Sequence, residues 1–261
     1  MNTNRNTIIG AGLALLLLIA FSWFMVRDNK KDNATESALT SSNVGDLATL
    51  AREGKVVVES AAQNVSAPAP SLERESPVTP GLDSTVVVRL QGEIKEFAAN
   101  LKKTPTSFQD WIDLGLAYKQ LGDYEGAKGA WEYVSLLYPE NIVSFGNLGD
   151  LYANFLKDYA KAEARYRTAI KNKPNAVYLY GNLFDLYKVY KQGAGNGEAV
   201  LKDGIAKNSN ELSLPIMLAR YYRDAGRAEE AKSAYDAVIA LAVREGNTAV
   251  ADSLTAEKSA L

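Results

Sequence analysis

The stretch Trp111-Ile112-Asp113-Leu114-Gly115-Leu116-Ala117-Tyr118, followed by Ala127, Trp131 and Pro139, decides how this chain is read. Its apolar residues recur at three- and four-residue spacing as far as Leu121, the mark of an amphipathic helix, and start again after Gly122-Asp123. Gly122 can take the left-handed conformation that closes a helix, and Asp123 can cap the next one. The segment therefore predicts two helices, about Thr106 to Leu121 and then on to about Leu137. Gly115 and Ala127 let the two axes approach, Leu114, Tyr118 and Trp131 fill the seam, and Pro139 stops the pair.

Outward from this hairpin the same spacing returns. Pro105, Pro139 and Pro174 are separated by 34 and 35 residues, and Ser209 stands 35 residues further on. A fixed period of this size marks a repeat array. The second unit reads Phe145, Leu148, Gly149, Tyr152, Ala162, Tyr166, Ala169; the third reads Tyr180, Leu183, Phe184, Tyr187, Gly197, Leu201, Gly204. The fourth reads Pro215, Leu218, Ala219, Tyr222, Ala231, Tyr235, Val238. The first unit fits W-x2-L-G-x2-Y followed by A, an aromatic residue and P, and residues 108–245 resemble the tetratricopeptide repeat family.

The resemblance implies an all-α fold: a right-handed α-solenoid of about four helix-turn-helix repeats, at 106–141, 142–176, 177–211 and 212–245, with the first helix of each repeat on the concave side. Units two and three depart from it by one extra residue between the Tyr and the small residue of the second helix. Phe184 stands where a small residue is usual and is expected to displace its neighbours. Pro215 falls in a first helical turn, where its missing N–H costs nothing. Leu90, Ile94, Phe97 and Leu101 predict a packing helix within 85–105, and Val250 and Leu254 a capping helix within 246–261.

Ahead of the array the composition changes twice. Residues 1–7 are a short tail, and residues 8–26, IIGAGLALLLLIAFSWFMV, are uncharged. As a helix they span about 28 Å, close to the ~30 Å hydrocarbon core of a bilayer, and predict a single transmembrane anchor; a cleaved signal peptide is the rival reading. Residues 27–84 hold four of the eight prolines, no aromatic residue, and nine acids against six bases, the composition of a disordered Ser/Thr/Ala/Pro-rich tether. Val44 to Leu50 and Val56-Val57-Val58 are apolar stretches within it, able to dock on a partner. Counting Lys and Arg around residues 8–26 favours a cytoplasmic bulk by one or two charges, whereas the composition of the tether favours an extracytoplasmic one, the side adopted here. The layout is similar to that of small bacterial envelope proteins.

The 261 residues include no cysteine and no histidine, so disulfides, Cys/His zinc sites, thiolate nucleophiles and Ser-His-Asp relays are excluded. The formal charge of −2, with 22 acids and 22 bases over 85–261, speaks against a nucleic-acid binder. Gly193-Ala194-Gly195-Asn196-Gly197 joins two helices and is a turn, not a phosphate loop. No enzyme activity and no cofactor or metal is expected. The words Gly146-Asn147-Leu148-Gly149-Asp150-Leu151-Tyr152 and Gly181-Asn182-Leu183-Phe184-Asp185-Leu186-Tyr187 recur 35 residues apart. By the resemblance, Gly146, Asn147, Asp150, Asn154, Gly181, Asn182, Asp185 and Lys188 line the groove, where an amide offers an extended peptide a donor and an acceptor together. Tyr178 is expected beside them, and Arg220 and Arg223 are placed to meet an acidic ligand. The expected function is a membrane-anchored scaffold holding a protein or peptide partner, with a self-associating assembly factor as the alternative.

Overall fold

The computed structural model describes residues 62–64, 66–190 and 196–261, all within one unit of the chain. Ten helices follow one another among them: α1 (Ser84–Lys103), α2 (Phe108–Leu121), α3 (Tyr124–Leu137), α4 (Val143–Asp150), α5 (Tyr159–Asn172), α6 (Val177–Val189), α7 (Asn196–Lys207), α8 (Ser213–Asp224), α9 (Ala228–Arg244) and α10 (Thr248–Ser259). No strand occurs among the described residues. Helices α2/α3, α4/α5, α6/α7 and α8/α9 are the four pairs, stacked as an α-solenoid.

Local chemistry accounts for the first pair. Ser107 caps α2, Gly122 closes it at φ 96°, and the Asp123 carboxylate accepts from the Gly126 N–H at the start of α3. Between the helices there is no room for a methyl group: a Cβ at Gly115 would stand 2.3 Å from Trp131 Nε1, and one at Gly149 2.6 Å from Tyr166. The proline turns serve as acceptors. Trp111 Nε1 donates to the Pro105 carbonyl at 2.8 Å and Tyr180 Oη to that of Pro174 at 2.9 Å. Phe145 has no donor to offer, and Asn172 Nδ2 reaches the Pro139 carbonyl instead, at 2.8 Å.

The extra residue of the second unit is absorbed inside its first helix. After Asp150 the coil widens into a π-helical turn, Leu151–Leu156, and Lys157 takes the left-handed conformation at φ 56° where the first unit has Gly122. The widening carries Asn154 and Phe155 out to the exposed end of the helix. The extra residue of the third unit falls between α6 and α7, where residues 191–195 lie outside the description.

Phe184 does not push its neighbours apart. It is buried, and the room comes from its partners: a Cβ at Gly197 would lie 3.1 Å from its ring, and the second helix presents Leu201 where the other pairs present Trp131, Tyr166 and Tyr235. The bulk has moved from one helix to the other while the seam stays filled.

The described end of the predicted tether lies on the array, and residues 27–61 lie outside the described residues. From Gln63 the chain runs antiparallel to α3, past Gly129 at Pro70, and reaches the α2–α3 turn. The Gln63 N–H donates to the Leu137 carbonyl at 2.8 Å and the Thr79 N–H to that of Leu121 at 2.9 Å. Both acceptors lie in the last turn of a helix, where carbonyls have no partner within the helix. The Arg74 guanidinium grips Asp123 through two hydrogen bonds of 2.6 and 2.8 Å, and Lys102 of α1 meets Glu73 at 3.0 Å. Composition misleads here because a strap needs no core of its own; it borrows the surface of the array, and its prolines reduce the entropy lost.

The end helices form as expected with small shifts: α1 buries Leu90, Ile94, Ala98 and Leu101, with Phe97 half-buried, and α10 buries Val250, Ala251 and Leu254. The predicted membrane segment, residues 8–26, lies outside the described residues, and among the described helices none is long and apolar enough to cross a membrane.

Candidate functional site

First helices of successive pairs meet at two places, α2 with α4 and α6 with α8. Lys119 of α2 meets Asp150 of α4 at 2.5 Å, and a Cβ at Gly181 of α6 would lie 3.6 Å from the Met217 sulfur of α8. Helix α4 is buried along its whole length.

Asn147 stands at its centre with 1% of its surface exposed, and neither its amide nitrogen nor its amide oxygen has a hydrogen-bond partner. One repeat later Asn182 is 8% exposed, and its carbonyl oxygen is likewise unmet. The Tyr178 hydroxyl, one turn before Asn182, is a fourth buried polar atom without a partner, and burial pushes its pKa up. Each such group costs about 1–3 kcal/mol relative to a satisfied one. Four of them on successive first helices call for a partner, a bound segment or water.

The charged candidates are occupied within the chain. Asp150 accepts from Lys119 and, at 2.7 Å, from Asn154 Nδ2. Asp185 pairs with Lys188 at 2.6 Å, and the Lys188 ammonium lies 5.2 Å from the centre of the Phe184 ring. Arg220 and Arg223 are not available to an acidic ligand. Arg220 binds the Glu257 carboxylate of α10 through bonds of 3.0 and 2.6 Å, and Arg223 reaches the same carboxylate at 3.0 Å. Burial works against the charge on Glu257, but bonds from Arg220 and Tyr235 hold its pKa below the usual carboxylate range. Thus α10 supplies the anion that the sequence leaves to a ligand, and the last pair is closed by the chain itself. Among the described residues no three acidic side chains are grouped to hold a metal ion.

One set of residues was missed by pattern reading. The signature tyrosine of each later unit bonds a glutamate on the second helix of the unit before it: Tyr152 to Glu132 at 2.7 Å, Tyr187 to Glu163 at 2.5 Å, Tyr222 to Glu198 at 2.9 Å. Burial, then the bond to Glu163, pushes the Tyr187 hydroxyl up to about 12. Lys202 and then Arg227 hold the Glu198 carboxyl down at about 2. Tyr118 heads the array, and its buried hydroxyl has no such bond. Glu163 and Glu198 share a repeat position, each next to the small residue of its second helix, whereas Glu132 stands elsewhere in the first unit, so the period alone does not give the set.

The family comparison agrees with this geometry. Residues 111–128, 143–176 and 216–242 match the tetratricopeptide repeat model, and the unmatched third unit is the one whose seam is repacked around Phe184. The described array is a tetratricopeptide-type α-solenoid. Its fold is similar to the crystal structure of MamA, with a TM-score of 0.50 and 15% identity over 63% of this chain and 98% of that one. Weaker likenesses extend to YrrB, titled a TPR protein with an unusual peptide-binding site (TM-score 0.44, 14% identity, 60% and 88% covered), and to PilF of Pseudomonas aeruginosa (0.45, 18%, 66% and 86%). No curated protein matches the chain in sequence.

Proposed function

We propose that this chain is a protein-interaction scaffold, anchored in a membrane through residues 8–26, whose face of first helices receives an extended segment of a partner protein. The observation that carries the reading is the pair of buried asparagines one repeat apart, Asn147 with both amide atoms unmet and Asn182 with its carbonyl oxygen unmet. An extended backbone presents N–H and C=O groups alternately, and an asparagine can answer both. The neutral array agrees with a ligand chosen by local hydrogen bonds rather than by charge. Gly146 and Gly181 beside the amides add no side chain between the floor and a ligand.

The test replaces both residues, Asn147→Ala with Asn182→Ala, and compares proteins recovered with the chain from solubilised membranes. Loss of a specific partner at unchanged helical content supports the reading, and full recovery removes this face from it. For the anchor, the chain is expected to stay in the membrane pellet through alkaline extraction; release into the supernatant counts against residues 8–26 as a span. Protease accessibility in intact against lysed cells assigns the side, for which an extracytoplasmic array is the expectation.

A further inference from the structure

We propose that the groove between α5 and α7 is a second binding site, which receives an extended segment of a partner protein bearing a carboxylate next to a large apolar side chain. It lies on second helices, whereas Asn147 and Asn182 stand on first helices, so the inference does not rest on the reading of those asparagines.

The strap shows what such a groove accepts. Helix α1 packs on α2 as each later second helix packs on the first helix of the next pair, so α1 and α3 are related as α5 and α7 are. The strap touches both: Glu73 meets Lys102 of α1 at 3.0 Å, and Pro70 stands where a Cβ on Gly129 of α3 would lie 3.8 Å from it. An extended, proline-bearing stretch is thus already seated along one pair of second helices. The corresponding place between α5 and α7 is a groove of about 530 Å³, a size ordinary for ligand clefts. Ile170 of α5 and Ala199 and Val200 of α7 form its walls, and Leu183 of α6 completes the apolar lining.

Charge gives the groove its selectivity. At the joints on either side an ion pair ties successive units: Arg165 of α5 with Glu132 of α3 at 3.5 Å, and Arg227, just ahead of α9, with Glu198 of α7 at 2.6 Å. Among the described residues none crosses from α5 to α7. On the rim Arg167 is taken by Glu163 and Tyr187, and Lys207 by Asp203. Lys171, exposed in the last turn of α5, has no ion pair among the described residues. Its counterpart beside the strap is Lys102, in the last turn of α1, and Lys102 holds a carboxylate. A carboxylate on Lys171 fixes the register of the bound segment, while an apolar side chain buried against Ile170 and Val200 supplies most of the affinity.

The probe for the test is a fluorescent peptide of residues 66–80 with Arg74→Ala, which keeps the prolines and Leu72-Glu73 but lacks the guanidinium that grips Asp123. Its binding to the detergent-solubilised full chain is followed by fluorescence anisotropy. Saturation below about 1 mM is expected, weakened roughly fivefold or more by Lys171→Glu and by Ala199→Trp. Both substitutions fall at exposed positions, and unchanged helical circular dichroism verifies the fold. Asn147→Ala/Asn182→Ala is expected to leave the binding as it is. No saturation up to about 1 mM overturns the inference. Binding that either groove variant leaves unchanged also overturns it, and puts the peptide in the strap's own groove. Binding lost in the asparagine variant overturns it as well, and puts the peptide on the first helices.

Discussion

At Gly115 the absence of one methyl group sets the spacing of a helix pair, because a Cβ there would enter the Trp131 ring. Gly115→Ala is expected to cost about 1–3 kcal/mol through forced repacking, read from the midpoint of urea unfolding. The control is Gly92→Ala on α1, where a Cβ meets nothing within 4 Å and the helix gains about 0.5–1 kcal/mol. These seam positions were legible in sequence because a small residue recurs at one place in units one, two and four, Gly115, Gly149 and Ala219. Phe184 shows the limit of that reading. A large residue at a small place looks like a conflict until its partners, Gly197 and Leu201, are known, and they lie on another helix. Asn147 and Asn182 were legible as a repeated word, whereas their unmet hydrogen bonds depend on what surrounds them in three dimensions.

At the scale of elements, helices and their ends follow from capping and periodicity, and the structure departs from the sequence reading where tertiary contacts decide. The π-helical turn at Leu151–Leu156 is one such place, and the strap is the other. Its backbone bonds fall on carbonyls at the ends of α2 and α3, and its half-exposed Arg74 pairs with the buried Asp123, a residue already engaged in capping α3. Arg74→Ala is expected to leave the array folded, since the Gly126 N–H still answers Asp123. It should loosen the strap and make residues 66–80 several-fold more sensitive to limited proteolysis. Equal cleavage rates in the two proteins would show that the guanidinium does not hold it.

For the whole molecule, the units are joined by carboxylates whose folded pKa values lie below 4.5: Glu163 under Tyr187 and Arg167, Glu198 under Lys202 and Arg227, Glu257 under Arg220 and Tyr235. A carboxylate depressed on folding stabilises the protein fully above its unfolded pKa and loses that contribution as pH falls through the folded value. The array is therefore expected to keep a steady Tm above about pH 5 and to lose it as pH drops from 4.5 towards 2, the window set by Glu198. Glu198→Gln should lower Tm at neutral pH and flatten the fall; a Tm that is flat down to pH 2 in the unsubstituted chain would contradict these joints. The four stacked pairs were readable from one period in the sequence, and the two end helices from their own apolar spacing. The closure of the last pair by Glu257 was not, because Arg220 and Arg223 look free until α10 folds back on them.

The central claim, that a partner is held on the face of first helices, is met most directly by photo-crosslinking in membranes. A photoreactive residue at Asn154, exposed at the end of that face, is compared with one at Val243, exposed on α9. Partner adducts from position 154 alone, lost when Asn147 and Asn182 are both changed to Ala, are the predicted result. Adducts from position 243 alone, or adducts at 154 that persist without the two asparagines, would contradict it.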